Sequence, residues 1–419
     1  MKYVIIGNST AAVGAIEGIR EIDPKGKITV VSNEPYPVYS RPLISYLLQG
    51  KTDEQRMKYR PDDFYEKNKV TAMLGRTAEK LDPAKKTVAL DGGEILKYDR
   101  LLVATGSSPF VPPMAGLETV PKRFSFLSLD DAKALDAALF PGARVLIVGA
   151  GLIGLKCAEG IAAKAGSLTV IDLAPRILSS ILDDQGAALV QQHLEENGVS
   201  FRLGVSAKEF KGNSVELTSG EKLEFDILVT AVGVRPNISL VADAGGAVEK
   251  GLVVDGEMKT TVSNVWAAGD CVTSFDVSLG ARRVLAILPN AYNGGHIAGV
   301  FMAGGAPDGP QFFPMNAIGF FGLHILTAGV YDGKVYESHK SGSYKKLFYD
   351  DTLRGFILIG DVARAGIYTS LVREQTPLSD LDFESICKQP GLIAFSRRYR
   401  DEKLGGMRES EGPLVCDEI

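Results

Sequence analysis

Cysteine is scarce in this 419-residue chain, and its four copies (Cys157, Cys271, Cys387 and Cys416) form neither a C-x-x-C nor a C-x4-C pair. That spacing excludes a sequence-local redox dithiol, a zinc knuckle and an iron–sulfur ligand set of familiar pattern. Histidine is equally sparse. His193, His296, His324 and His339 show no metal spacing and read as surface or packing residues, so no metal site is expected. Surplus positive charge is missing too: a net charge of −5 argues against a large nucleic-acid footprint, which needs a basic surface. No apolar run reaches the roughly 18–20 residues of a membrane-spanning helix. The first strand begins at residue 3, so no signal peptide is expected. These absences predict a cytoplasmic protein whose redox chemistry must come from a bound organic cofactor.

What is present is the texture of a globular chain, 45% hydrophobic and 23% charged, and long enough for two or three domains. Two strand–turn–helix–strand units resemble one another. The first runs "KYVIIG" (2–7), a helix over about 11–22 with Val13, Ile16, Ile19 and Ile22 on one face, then "ITVV" (28–31). The second runs "RVLIVG" (144–149), a helix over about 152–164, then "LTVID" (168–172). Continuous apolar strands predict parallel sheets covered on both faces and joined by right-handed crossovers. Each unit is followed by an apolar exit strand ending in Gly and Pro, at 99–121 and 225–237, and "NVWAAGDCV" (264–272) adds a late strand. This order predicts one domain interrupted by another. From about residue 313 the texture changes to an antiparallel hairpin over 344–360, a short helix near 365–373, and a tail from about 400 with little apolar periodicity.

The second unit carries an intact dinucleotide fingerprint, Gly149-Ala150-Gly151-Leu152-Ile153-Gly154. Its glycines allow a tight turn, backbone approach to a pyrophosphate and close helix–strand packing. The helix amino terminus offers free N–H groups and partial positive charge. Asp172 ends the next strand 23 residues after Gly149. A carboxylate there accepts ribose hydroxyls and repels a 2′-phosphate, favouring NADH over NADPH, although Arg176 stands close by. The first unit is less regular. Gly7 is present and Glu34, 27 residues on, is the ribose-acid candidate, but Ser9 and Ala12 replace the second and third glycines. On its own that turn reads either as a pyrophosphate cradle, with the Ser9 hydroxyl as donor, or as a strand–helix corner with no ligand. Asp270, after a strand ending in small residues, suits a polyol such as a flavin ribityl chain. "LLVATG" (101–106) can pass close under a cofactor. A helix opening near Asn290–Ala291 could place its positive end at a flavin pyrimidine edge.

The ordered set "IIGNSTAA", "YSRPLIS", "VATGSSP", "VGAGLIG", "TAVGVRPN", "VWAAGD" and "LPNAYNGGHIAG" resembles the FAD- and NAD-dependent pyridine nucleotide-disulfide oxidoreductase superfamily. It is most similar to the branch without a redox disulfide: NADH:rubredoxin and ferredoxin reductases, and the amino-terminal part of NADH-dependent nitrite reductases. The resemblance covers about residues 1–310 closely and the rest more loosely. It implies an α/β fold with two Rossmann-like domains, the FAD domain (1–112 and 246–312) interrupted by an NAD(H) domain (113–245), and a smaller α+β domain over 313–419. It implies FAD contacts at Gly7, Ser9, Thr10, Ala11 and Ala12, at Glu34 for the adenosine ribose, at Arg41 and Pro42 beside the isoalloxazine, and at Ala78 under the adenine. Ala104, Thr105, Gly106, Gly269, Asp270, Pro289 and Ala291 would complete that site. NAD(H) would lie on Gly149, Gly151, Leu152, Ile153, Gly154 and Asp172, with Gly233 near the nicotinamide.

Two departures shape the expectation. Disulfide reductases of the superfamily carry one or two cysteines after the first ribose acid, whereas "EPYPVYSRPLISYLLQGK" (34–51) has none. A flavin here must therefore pass electrons to something outside the chain. Lys156 stands where such relatives often have glutamate, and with Glu159 three residues on it reads as a helix-surface pair. Cys157 and Cys271 read as buried small residues. No catalytic side chain is needed beyond the stacked cofactors. The resemblance implies electron exchange between NAD(H) and a rubredoxin, a ferredoxin or an iron–sulfur subunit of a larger complex, of the 2-oxoacid (phenylglyoxylate) or carbon monoxide dehydrogenase kind. The alternatives are a stand-alone NADH oxidase or NADH:quinone reductase, and a redox-silent scaffold subunit.

Overall fold

The structure, a computed structural model, describes residues 1–340 and 342–404. Cys416 and most of the tail lie outside them; its first residues belong to a helix over Arg397–Leu404.

The chain opens β1 (Lys2–Ile6), α1 (Thr10–Ile22), β2 (Lys27–Ser32), β3 (Val70–Leu74) and β4 (Arg100–Val103). The apolar runs pair in parallel, as strands covered on both faces do. On α1, Val13, Ile16 and Ile19 are fully buried, while Ile22 is exposed at the helix end. The chain then builds β5 (Arg144–Val148), α2 (Leu152–Ile161), β6 (Ser167–Asp172), α3 (Asp184–Glu196), β7 (Val199–Leu203) and β8 (Ile227–Thr230). Last come β9 (Val265–Ala267) and α4 (Leu288–Met302).

The two parallel sheets share a topology. One runs β9-β4-β1-β2-β3; the other runs β7-β6-β5-β8 and ends on a short strand, Arg123–Phe124. In each, an antiparallel three-stranded meander lies between the third strand and the exit strand, over 78–97 and 207–224. Because β9 returns beside β4, the second sheet is an insertion into the first. Where the chain crosses, Ser107–Pro109 pairs with Val234–Pro236.

A third sheet, wholly antiparallel, holds β10 (Met315–Phe320), β11 (Leu323–Gly329), β12 (Lys334–Lys340), β13 (Ser343–Tyr349) and β14 (Leu353–Ile359), in the order β10-β11-β14-β13-β12. Helix α5 (Ala365–Glu374) follows. One face of this sheet, with Phe320, Ile325, Tyr344 and Ile357, shares a core with Ile147, Leu155 and Val190 of the second unit. The sheet is thus docked onto the nucleotide-type unit. No helix among the described residues is long and apolar enough to cross a membrane.

Candidate functional site

Two cavities meet at the junction of the three sheets. The first, about 370 Å³, lies over the turn after β1 and takes in Gly7, Ser9, Thr10, Ala11, Arg41, Ala78, Ala104, Thr105, Gly106, Gly269, Asp270 and Ala291. Four expected residues lie elsewhere. Ala12 is fully buried beneath the turn, Pro42 faces the second cavity, and Glu34 and Pro289 line neither.

The turn needs Gly7. Its φ is +114°, and a Cβ there would sit 2.1 Å from the Ala104 carbonyl oxygen. Ser9 is the N-cap of α1, yet its side chain makes no capping hydrogen bond, so its hydroxyl and the first-turn N–H groups remain available to a ligand. Helix α4 packs on α1 backbone to backbone. A Cβ on Gly295 would fall 1.9 Å from the Ala11 oxygen, and one on Gly14 would fall 2.2 Å from the Tyr292 oxygen. This contact sets two helix amino termini, at Ser9 and at Ile287, side by side facing the cavities.

Asp270 accepts a hydrogen bond from the Ser107 hydroxyl at 3.0 Å. Burial pushes its carboxyl above the usual range, against the lowering effects of that bond and of the Arg41 charge. A buried carboxylate with one donor is an acceptor in want of hydroxyls. Asn237 ties the floor of the site together: it receives the Thr105 hydroxyl at 2.7 Å on its carbonyl and gives its amide to the Thr105 oxygen at 2.9 Å. Ser107 and Asn237 were not anticipated, although both stand inside quoted motifs, "VATGSSP" and "TAVGVRPN". The signal was a polar residue next to a glycine turn. Glu34 is engaged by the Arg41 guanidinium and by the Tyr39 hydroxyl, the latter at 2.8 Å. To hold a ribose it would have to exchange Arg41 for ribose hydroxyls.

The second cavity, about 630 Å³ and mostly apolar, shares Arg41, Ser107, Leu127, Asp270 and Leu288 with the first. Pro42, Leu152, Ile153 and Val234 line it, with Ala317 and Ile318 of β10 opposite. Gly233 lies next to Val234, with φ +124° and open space where a Cβ would point. The fingerprint glycines, Gly149, Gly151 and Gly154, lie outside this cavity. Gly149 repeats Gly7, with φ +117° and a Cβ position 2.3 Å from the Ala231 oxygen. A Cβ on Gly154 would fall 2.0 Å from the Gly149 oxygen, whereas one on Gly151 would meet nothing within 4 Å. Asp172 braces this turn, accepting the Ala150 N–H at 2.6 Å and the Ala174 N–H at 2.8 Å. Arg176 is turned onto Asp184, 3.1 Å away.

Lys156 and Glu159 do not form the surface pair expected of them. Glu159 is 7% exposed and accepts the Phe321 N–H at 2.8 Å. Lys156, paired with it, also donates to the Gly319 oxygen at 3.1 Å and lines the larger cavity. His193 adds a bond to the Phe320 oxygen at 3.0 Å. Three side chains of the second unit thus grip the tip of the β10–β11 hairpin. Cys157, Cys271 and Cys387 are buried free thiols. Burial raises Cys157, and pushes Cys271 and Cys387 up to about 11. None lines either cavity.

Residues 1–295 match the pyridine nucleotide-disulphide oxidoreductase family. The chain belongs to that family. This family member is a flavoprotein oxidoreductase that uses FAD and NAD(H). It is similar to the epsilon subunit of the NADH-dependent phenylglyoxylate dehydrogenase of Aromatoleum evansii, 32% identical over 91% of this chain and 93% of that one. It is similar to rubredoxin-NAD(+) reductase of Pseudomonas putida, 32% identical over 75% of this chain and 83% of that one. Its fold matches the covalent putidaredoxin reductase–putidaredoxin complex with a TM-score of 0.85, at 21% identity, over 94% of this chain and 98% of that one.

Proposed function

We propose that this flavoprotein exchanges electrons between NAD(H) and an iron–sulfur or rubredoxin-type protein, as a free reductase or as the NAD(H)-reacting subunit of a larger oxidoreductase, in the cytoplasm. The observation that carries the reading is the meeting of the two cavities at Arg41, Ser107, Leu127, Asp270 and Leu288, with no thiol among the described residues in either wall. A site with two adjoining cavities and no thiol among the described residues that line them suits an enzyme that delivers electrons beyond its own chain. The names of the similar proteins, a rubredoxin reductase and an NADH-dependent dehydrogenase subunit, favour the same acceptor class.

Bound FAD would accept hydride from NADH and release electrons one at a time. The chain's own contribution is binding and positioning. The Ser9 hydroxyl and the α1 first turn would hold the pyrophosphate, Asp270 would accept ribityl hydroxyls, and the α4 amino terminus would favour negative charge at its end. Gly149, Gly151, Gly154 and Asp172 would hold NAD(H), and Leu152, Ile153, Pro42 and Val234 would keep water from the slot that would take the nicotinamide. Asp172 with Arg176 turned away favours NADH over NADPH. The FAD unit would comprise 1–112 with 246–312, the NAD(H) unit 113–245, and the docked sheet the residues from 313. The return of β9 to β4 supports that division.

Anaerobic NADH should bleach the flavin within the mixing time of a hand experiment. Reoxidation should be slow in air and fast with a reducible rubredoxin or ferredoxin. Fast reoxidation by air alone would instead identify a stand-alone oxidase.

A further inference from the structure

Adjacent residues of β13 face opposite surroundings. Lys346 points to the docked face, where its ammonium meets Asp183 at 2.7 Å and Glu337 at 3.1 Å. Lys345 points to the other face and, among the described residues, meets no carboxylate. Its ammonium donates to two main-chain oxygens, Cys387 at 3.1 Å and Lys388 at 3.2 Å, and lies over the Tyr368 ring, 5.8 Å from its centre. It is half-buried, and burial together with repulsion from Lys340 holds its pKa below the usual lysine value. The Asp361 carboxylate opposes this from a distance without forming an ion pair with Lys345, and a partly desolvated cation stays costly unless an anion joins it.

Lys345 lies in the wall of a separate cavity of about 360 Å³, distinct from the two cofactor-facing ones. Lys340, Arg364 and Lys388 line the same space. Arg364 makes one bond, to the Pro390 oxygen at 3.0 Å, and Lys340 has no acidic partner among the described residues. Lys388 is paired with Glu384. The single lining carboxylate, Asp361, accepts the Ala363 N–H at 3.0 Å and so closes its own turn. Arg364 is also the N-cap of α5 and leaves its first turn without a side-chain cap. Lys340, Lys345 and Arg364 thus line one concavity without an ion pair among the described residues.

We propose that this cavity binds a small phosphate-bearing anion, held by Lys345 and Arg364 with Lys340 beside them. The ligand class follows from the donors: a guanidinium fork and ammonium groups lining one concavity match the tetrahedral oxygens of phosphate. The site is placed to be felt at the cofactors. The turn 361–364 puts Val362 in the wall of the large cofactor-facing cavity and Asp361 and Arg364 in the wall of this one. The inference does not depend on the identity of the electron acceptor.

The test is calorimetric titration of pyrophosphate into the full-length, FAD-loaded protein saturated with NAD+, which occupies the dinucleotide turns. One further equivalent of pyrophosphate should bind. The Lys345→Gln/Arg364→Gln double variant should weaken it by about tenfold or more, the scale of losing a charge-assisted bond. Lys334→Gln, on the same sheet away from the cavity, should bind as the parent does. Unchanged thermal melting of the double variant would show that the loss is local. The proposal is overturned if no extra equivalent binds, if the double variant binds as tightly as the parent, or if citrate binds as tightly as pyrophosphate.

Discussion

The turns at Gly7 and Gly149 are near copies in backbone and differ in what surrounds them. Both glycines hold φ near +115° with a Cβ position within 2.3 Å of an exit-strand carbonyl. Both belong to sheets whose four main strands follow the same order. After the second turn, Gly154 must be glycine because its helix lies against the Gly149 oxygen. After the first turn, Ala12 carries its methyl fully buried, so α1 sits with room for it. The larger contrast is cover. Ala104–Ser108, Ala268–Asp270, Leu288 and Ala291 close over the first turn, whereas Gly151 in the second faces open space. On the function proposed above, the same device serves a resident cofactor where it is enclosed and an exchanging one where it is open.

The sharpest way to break that comparison is to load each turn with a side chain. Gly295→Leu drives a Cβ into the Ala11 carbonyl and must part α1 from α4. It should cost about 1–3 kcal/mol or more as overpacking and yield protein without flavin absorbance. Gly151→Ala places its methyl in open space at an ordinary φ of −81°. Stability should then stay within about 0.5 kcal/mol and FAD content should be unchanged, while NADH binding weakens. Equal loss of flavin in both variants, read from absorbance per mole of protein, would erase the distinction between covered and open turns. Ser9 tests the same point on a smaller scale. Ser9→Gly should keep FAD, and Ser9→Leu, which fills the cavity beside the free first-turn N–H groups, should expel it.

On the open side, Asp172→Ala should weaken NADH by roughly 1–3 kcal/mol, the scale of an unpaired buried polar contact. Titration of NADH under anaerobic conditions, followed by flavin bleaching, measures it. FAD content should not move. Unchanged NADH affinity would show that the ribose is held elsewhere and that the carboxylate serves only to brace Ala150 and Ala174.

Much of this was legible in the sequence because it is local. A continuous apolar run, a glycine turn and a helix follow one another within a few residues, so both units and the late strand could be read directly, as could the hairpin after residue 344. The glycines of "NGGHIAG" were visible, but not their partner, because Gly295 is required by contact with Ala11, far away in the chain. Glu34 was legible as an acid at the end of β2, but not its engagement by Arg41. Lys156 and Glu159 were visible as an i,i+3 pair. Their burial depends on the docking of a sheet 160 residues later, which no helix pattern carries. The absence of an ion pair at Lys345 among the described residues is of the same kind, since it is set by contacts between distant segments and not by local pattern.

The smallest effect should come from Asp270, and it separates stability from binding. Burial raises its carboxyl above the usual range in the folded chain. The folded state therefore binds the proton more tightly than the unfolded state does, and stability falls as pH rises through the elevated value. Below the usual carboxylate range both states are protonated and the cost vanishes. Asp270→Asn keeps a side-chain oxygen for Ser107 and removes the charge. Flavin-free Asp270→Asn should thus melt above flavin-free parent at neutral pH, by about 1 kcal/mol or less on the scale of one hydrogen bond. The gain should shrink to nothing near pH 3, where the parent carboxyl is also neutral. The same variant should hold FAD more weakly, because an amide offers one acceptor oxygen where a carboxylate offers two. A parent and variant with parallel melting profiles from pH 3 to 7 would mean that Asp270 is solvated without the cofactor, and that the first turn is less enclosed than its walls imply.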